Sequence, residues 1–187
     1  MTAAKAALAG RTTPLVVNYR VNAGYVPPEH WVHGEEGGGR NIGEACHIYD
    51  VFNFLAGTDF ASVQAAAAAS ASRQWRRDDN FTTTIRYTDG SICTLTYTAL
   101  GAAGYPKERM EIFSDGLVIS LDDYRSLSIT GGPHRGWKAA NADKGHVAEL
   151  EALRDGLRSG TWPISLREQV AATRISFLVQ QQLTGAA

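Results

Sequence analysis

No stretch of this 187-residue sequence stays apolar for the ~18 residues that a membrane-spanning helix needs. Its start, Met1-Thr2-Ala3-Ala4-Lys5, lacks the apolar core and cleavage site of a secretory signal. Cysteine is scarce. Cys46 and Cys93 are the only two, and neither sits in a close-spaced metal or redox motif. Reduced thiols in a cytosolic protein are the default reading, so a cytoplasmic location is expected. An excess of either charge is also missing: 18 Lys and Arg face 19 Asp and Glu, for a net charge of -1. That balance gives no reason to expect nucleic acid or a membrane surface as partner. Arg73-Gln74-Trp75-Arg76-Arg77 is locally basic, but Asp78-Asp79 follow at once. Finally, no apolar strand runs through a G-x-G-x-x-G turn into a helix, and no P-loop is present. A nucleotide-binding half is not visible.

What is present reads as an ordinary globular chain, 44% hydrophobic and long enough to bury a core. An alanine-rich helical stretch from Thr2 to Ala9 stops at Gly10 to Pro14. Residues 1–13 are therefore read as a helix and linker, and 14–187 as a single domain. From Leu15 to Asn22 apolar and polar residues alternate, which predicts a strand with Leu15, Val17, Tyr19 and Val21 on its buried face. Its other face carries Asn18, Arg20 and Asn22, suited either to solvent or to a hydroxyl-rich ligand. A Pro- and Gly-containing loop follows, then a helix from Asn41, a plausible N-cap, to Leu55, ended by Gly57. Ser62 to Ser72 is contested between helix, by alanine propensity, and strand. Phe81–Thr88 and Ser91–Ala99 form a hairpin through Asp89-Gly90, and Arg109–Phe113 and Leu117–Leu121 another through Asp115-Gly116. Ser126 to Thr130 adds a short strand. Asp143 to Arg158 is an amphipathic helix with Val147, Leu150, Leu153 and Leu157 on one stripe. Ser165-Leu166-Arg167-Glu168 is a capping box opening a last helix to about Leu183. The sum is α+β: an open, mainly antiparallel sheet with helices packed on one face.

The segment EEGGGRNIGEACHIYD, Glu35 to Asp50, concentrates the chemistry. Removing a hydroxyl proton from a secondary alcohol needs a base near neutrality. His47 has the right intrinsic pKa, and Glu44 at i−3 or Asp50 at i+3 lies within reach on a helix. The same spacing serves a plain helix-face ion pair. Gly38 and Gly39 permit positive φ and also let a cofactor approach the helix start. Arg40 suits an anionic substrate group or a pair with Glu35 or Glu36. His30, His33, Glu35, Glu36 and His47 are too loosely spaced for a metal site, and none is expected. Trp31 and Tyr25 suit stacking on a sugar ring or simple packing.

The pattern Gly37-Gly38-Gly39-Arg40-x-x-Gly43-Glu44-x-Cys46-His47-x-x-Asp50 resembles the C-terminal domain of the glucose–fructose oxidoreductase / inositol dehydrogenase (Gfo/Idh/MocA) family. The resemblance continues in order through NYRVNAGYVPPEHWVH (Asn18 to His33), RDDNF (from Arg77), DGSICTLTYTALG (from Asp89), KERMEIF (from Lys107) and WPISLREQVAATR (from Trp162). It implies a two-domain NAD- or NADP-dependent oxidoreductase of a sugar, polyol or sugar derivative, of which this chain matches the substrate-binding and oligomerising half. The isolated chain is then expected to bind no cofactor well. His47 falls on the family's histidine and is the implied acid/base, while the usual aspartate position holds Gly43, leaving Glu44 as the adjacent acid. Gly38 and Gly39 would face the cofactor. Arg40, Asn18, Arg20, Asn22, Asp50 and Trp31 would position substrate. Two other readings stand beside it: a ligand-binding or assembly module forming a homo-oligomer through its sheet, and a cofactor-independent isomerase or lyase using His47 and Glu44.

Overall fold

In the computed structural model, which describes residues 1–68 and 75–185, eight strands form one sheet in the order β2-β3-β4-β1-β5-β6-β7-β8. They are β1 (Val16–Asn22), β2 (Phe60–Ala67), β3 (Phe81–Tyr87), β4 (Ile92–Thr98), β5 (Glu108–Ser114), β6 (Leu117–Asp122), β7 (Ser126–Thr130) and β8 (Trp137–Lys138). Every pair is antiparallel except β1 with β4. The helices are α1 (Thr2–Ala7), α2 (Cys46–Ala56), α3 (His146–Ser159) and α4 (Leu166–Thr184). The α+β class expected from sequence is the one observed.

Strand alternation sets which face is covered. Val17, Tyr19 and Val21 of β1, Ile85 of β3, Leu95 and Tyr97 of β4, and Met110 and Ile112 of β5 are all buried under α2 and α4. Each core aliphatic so buried is worth roughly 1.5–3 kcal/mol. Asn18, Thr94 and Glu111 sit in register on the opposite face, which no described helix covers. Asp115-Gly116 turns tightly, with φ of +47° and +75°, as the hairpin signal requires.

Three expectations change. The contested alanine run resolves into strand β2 as far as Ala67, with 69–72 outside the described residues. Tertiary contacts override helix propensity there: β2 pairs with β3, and Gln182 of α4 accepts from the Ala65 amide and donates to the Val63 carbonyl. That glutamine occupies backbone groups an edge strand would leave open. Second, Asn41 does not cap a helix. It opens a π-helical segment, Asn41–Ala45, ahead of α2, and its side chain is buried. Asn41 Nδ2 donates to the Ser176 carbonyl and Gln180 Oε1, both at 2.9 Å, while the Tyr49 hydroxyl donates to Oδ1 at 2.8 Å. Those bonds tie the glycine-bearing segment to α4. Third, the apolar stripe of α3 is left exposed; Gly156 is the one buried residue of that helix. The capping box at Ser165 and Glu168 forms as read.

Candidate active site

The glycine segment reaches α2 through a close backbone crossing. Gly37 packs on the Val32 backbone, and a Cβ at Gly43 would lie 2.8 Å from the Gly37 carbonyl oxygen. Gly43 is therefore glycine for want of space. Gly38 and Gly39 take φ of +66° and +79°, so their backbone freedom is used by the turn itself. The π segment follows, a rare helix form that recurs at functional sites.

Glu44, within that segment, and His47, just beyond it, line one cleft of about 550 Å³. Glu44 is held firmly. Arg40 Nε lies 2.6 Å from its Oε1, and the Tyr97 hydroxyl donates to Oε2 at 2.7 Å. The guanidinium also donates to the Gly24 and Ala23 carbonyls at 3.2 Å, and Nε lies 2.9 Å from the Tyr97 oxygen. Arg40 is only 3% exposed. Its role in this geometry is to brace Glu44 and the loop after β1, not to reach into open space. Burial, first of all, raises the pKa of Tyr97, and the Glu44 carboxylate adds to the effect while Arg40 opposes it. The tyrosine stays a neutral donor.

The opposite wall is built from residues the sequence reading passed over. Glu108, Tyr124 and Lys144 line the cleft with Lys107, and His146 and Glu149 come from α3. Lys144 Nζ donates to Glu108 Oε1 at 2.5 Å, and the Tyr19 hydroxyl donates to Oε2 at 2.5 Å. Burial opposes the lysine's charge, but its bond to Glu108 outweighs that and leaves its pKa above the ordinary value. Tyr124 sits in the β6–β7 turn, where Asp123 and Tyr124 have φ of +48° and +53° with no glycine. Such non-glycine backbone is strained; the Asp123 carboxylate, accepting from the Glu108 amide, helps to hold it. Lys144 lies over the Tyr124 ring at 5.3 Å. Lys144 has no local signal because it lies in an irregular loop; Glu108 was legible only as a position at the start of a strand, and Tyr97 only as an aromatic suited to sugar stacking or core packing.

Other candidates are not brought to this cleft. Asn18 and Arg20 point to the outer sheet face, where Asn18 Oδ1 accepts from the Thr94 hydroxyl and Arg20 bonds the Pro106 carbonyl and stacks on Tyr105. Asn22 is buried and pins the Ala102 and Tyr105 carbonyls. Trp31 is 64% exposed beside His30. Asp50, a turn beyond His47, is half-buried; burial and then Glu168 raise its pKa, with His47 opposing. The expectation that Asn18, Arg20 and Asn22 share a site with His47 is corrected by strand pleat: their neighbours Tyr19 and Val21 face the helices instead.

A buried acid–imidazole pair lies apart from this cleft. His33 Nε2 is 3.6 Å from Asp79 Oδ2, both nearly inaccessible. Burial, opposed by His33, lifts the Asp79 carboxyl above its ordinary range. The folded protein therefore holds that proton more tightly than the unfolded chain. Stability from Asp79 is present at acid pH and falls as pH rises through its raised pKa. Asp79→Asn should gain on the wild type as pH climbs from about 4 toward neutrality, in urea titrations at each pH. A difference independent of pH would refute this.

An open sheet backed by helices, with a histidine and a braced carboxylate lining one cleft, defines the chain as an α+β domain. Residues 3–118 match the GFO/IDH/MocA C-terminal domain family, and the chain belongs to it. No curated protein sequence matches the chain. Among solved structures it resembles levoglucosan dehydrogenase in complex with NADH and levoglucosan (18% identity, TM-score 0.73), over 97% of this chain and 60% of that one. It also resembles the UDP-N-acetylglucosamine 3-dehydrogenase GnnA from Acidithiobacillus ferrooxidans (19%, TM-score 0.68), over 95% and 57%. A third is the WlbA dehydrogenase from Bordetella pertussis in complex with NADH and UDP-GlcNAcA (18%, TM-score 0.65), over 100% and 57%. The chain thus spans about three fifths of those structures' length.

Proposed function

We propose that this chain forms the substrate-binding wall of an NAD(H)-dependent dehydrogenase acting on a sugar derivative. The observation carrying this reading is the convergence of His47 and the braced Glu44 on one cleft. His47 accepts the proton of the substrate hydroxyl as it is oxidised. Glu44, fixed by Arg40 and Tyr97, orients the sugar beside it; Lys144 and Tyr124 bind its ring oxygens from the far wall. The hydride acceptor is held by residues outside this chain's described fold. The uncovered polar face of the sheet serves self-association. NAD(H) and sugar derivatives are favoured because relatives of this fold were solved with NADH, levoglucosan and UDP-GlcNAcA.

The test has two arms. Saturation-transfer NMR with levoglucosan and UDP-N-acetylglucosamine should show contact with the chain that Glu44→Gln and His47→Ala abolish. Calorimetry should find no NADH binding by the chain alone below about millimolar Kd. In the complete cofactor-loaded enzyme His47→Ala should lower kcat by about 10²–10⁴. Sugar contact untouched by both substitutions, or turnover surviving His47→Ala, would sink the reading.

A further inference from the structure

Helix α3 is folded with almost nothing beside it. Val147, Leu150 and Leu157 are 72%, 66% and 68% exposed, and Leu153 is 37% exposed. It packs substantially on no other described helix or strand. A helix of this length is marginal in water when its apolar stripe is unpartnered. The chain just after it adds Trp162, Ile164 and Leu166, also exposed. Together they make a contiguous apolar patch of the kind that marks an interaction surface.

Position says what covers it. At 3.6 residues per turn, Leu150, Leu153 and Leu157 follow round the helix directly from His146 and Glu149. Those two residues line the cleft. A body seated on the stripe therefore abuts the cleft mouth, where a hydride acceptor must meet the substrate. About two fifths of each NADH-bound relative's own chain lies outside the match to this one. We infer that the α3 stripe is the docking surface for the cofactor-binding domain, which closes the cleft from that side. The inference rests on the dehydrogenase reading above and adds where its two halves meet.

The test compares the full chain alone with the same chain fused behind the NADH-binding remainder of levoglucosan dehydrogenase, by hydrogen–deuterium exchange over residues 146–159. Alone, α3 should exchange fast at low and high micromolar concentration alike. In the fusion it should slow by about tenfold or more. Leu150→Glu with Leu157→Glu should restore fast exchange while fluorescence still reports NADH binding. Protection that grows with concentration in the chain alone would assign the stripe to a second copy and overturn the proposal. Fast α3 exchange in a fusion that binds NADH would overturn it too. A failure of the dehydrogenase reading looks different: sugar contact then survives Glu44→Gln and His47→Ala, whatever α3 does in the fusion.

Discussion

Arg40→Met should destabilise the domain by roughly 1.5–3 kcal/mol, the scale for losing hydrogen bonds to a charged group, because the Glu44 side chain, 34% exposed, is reached by water once its partner is gone. The loss has three parts. Glu44 keeps its charge but loses its partner, the Ala23 and Gly24 carbonyls lose their donors, and Tyr97 loses a neighbour on its oxygen. For a domain of this size that corresponds to a fall in Tm of about 3–12 °C. Arg40→Lys should recover little, because one ammonium cannot bridge two carbonyls, a phenol and a carboxylate in that planar arrangement. Urea denaturation of the three proteins decides it. A loss under about 0.5 kcal/mol for Arg40→Met would mean the guanidinium does not brace the loop.

Gly43→Asp places an acid where relatives by resemblance carry one. It should nevertheless cost about 1–3 kcal/mol and supply no working carboxylate. The obstacle is the first atom of the side chain: the Cβ would stand 2.8 Å from the Gly37 carbonyl, whose own residue is wedged on Val32. Backbone cannot yield as a flexible side chain can. Gly43→Ala should therefore lose nearly as much as Gly43→Asp, since the penalty belongs to Cβ and not to charge. If Gly43→Asp were as stable as the wild type, the crossing would be looser than the geometry shows. The same constraint explains why Glu44, one residue on, is the acid brought to the cleft with His47.

Much of the fold was legible because it rests on local signals. β1 and the two hairpins follow from period-two alternation and from Asp-Gly turns, and α4 begins at its capping box. The alanine run of β2 was not legible, since propensity there opposes pairing with β3 and the Gln182 clasp. The π segment at Asn41 was not legible either. It depends on a buried asparagine reaching Ser176, 135 residues away, and nothing near Asn41 announces that partner.

The site divides in the same way. His47 and Glu44 could be named from a helix spacing and a family resemblance, and both line the cleft. Arg40 could be named, but its chemistry could not: whether a guanidinium meets substrate or braces a neighbour depends on what surrounds it. The wall of Glu108, Tyr124 and Lys144 joins residues from β5, a strained turn and a loop.

By itself, then, the sequence determined β1 with its buried face, the two Asp-Gly hairpins and the capped start of α4, because those depend on neighbours within a few residues. The tertiary structure alone decided which polar residues share a cleft, which arginine is locked, and that the α3 stripe faces outward. Those depend on groups distant in the chain meeting at contact range, which no local spacing encodes.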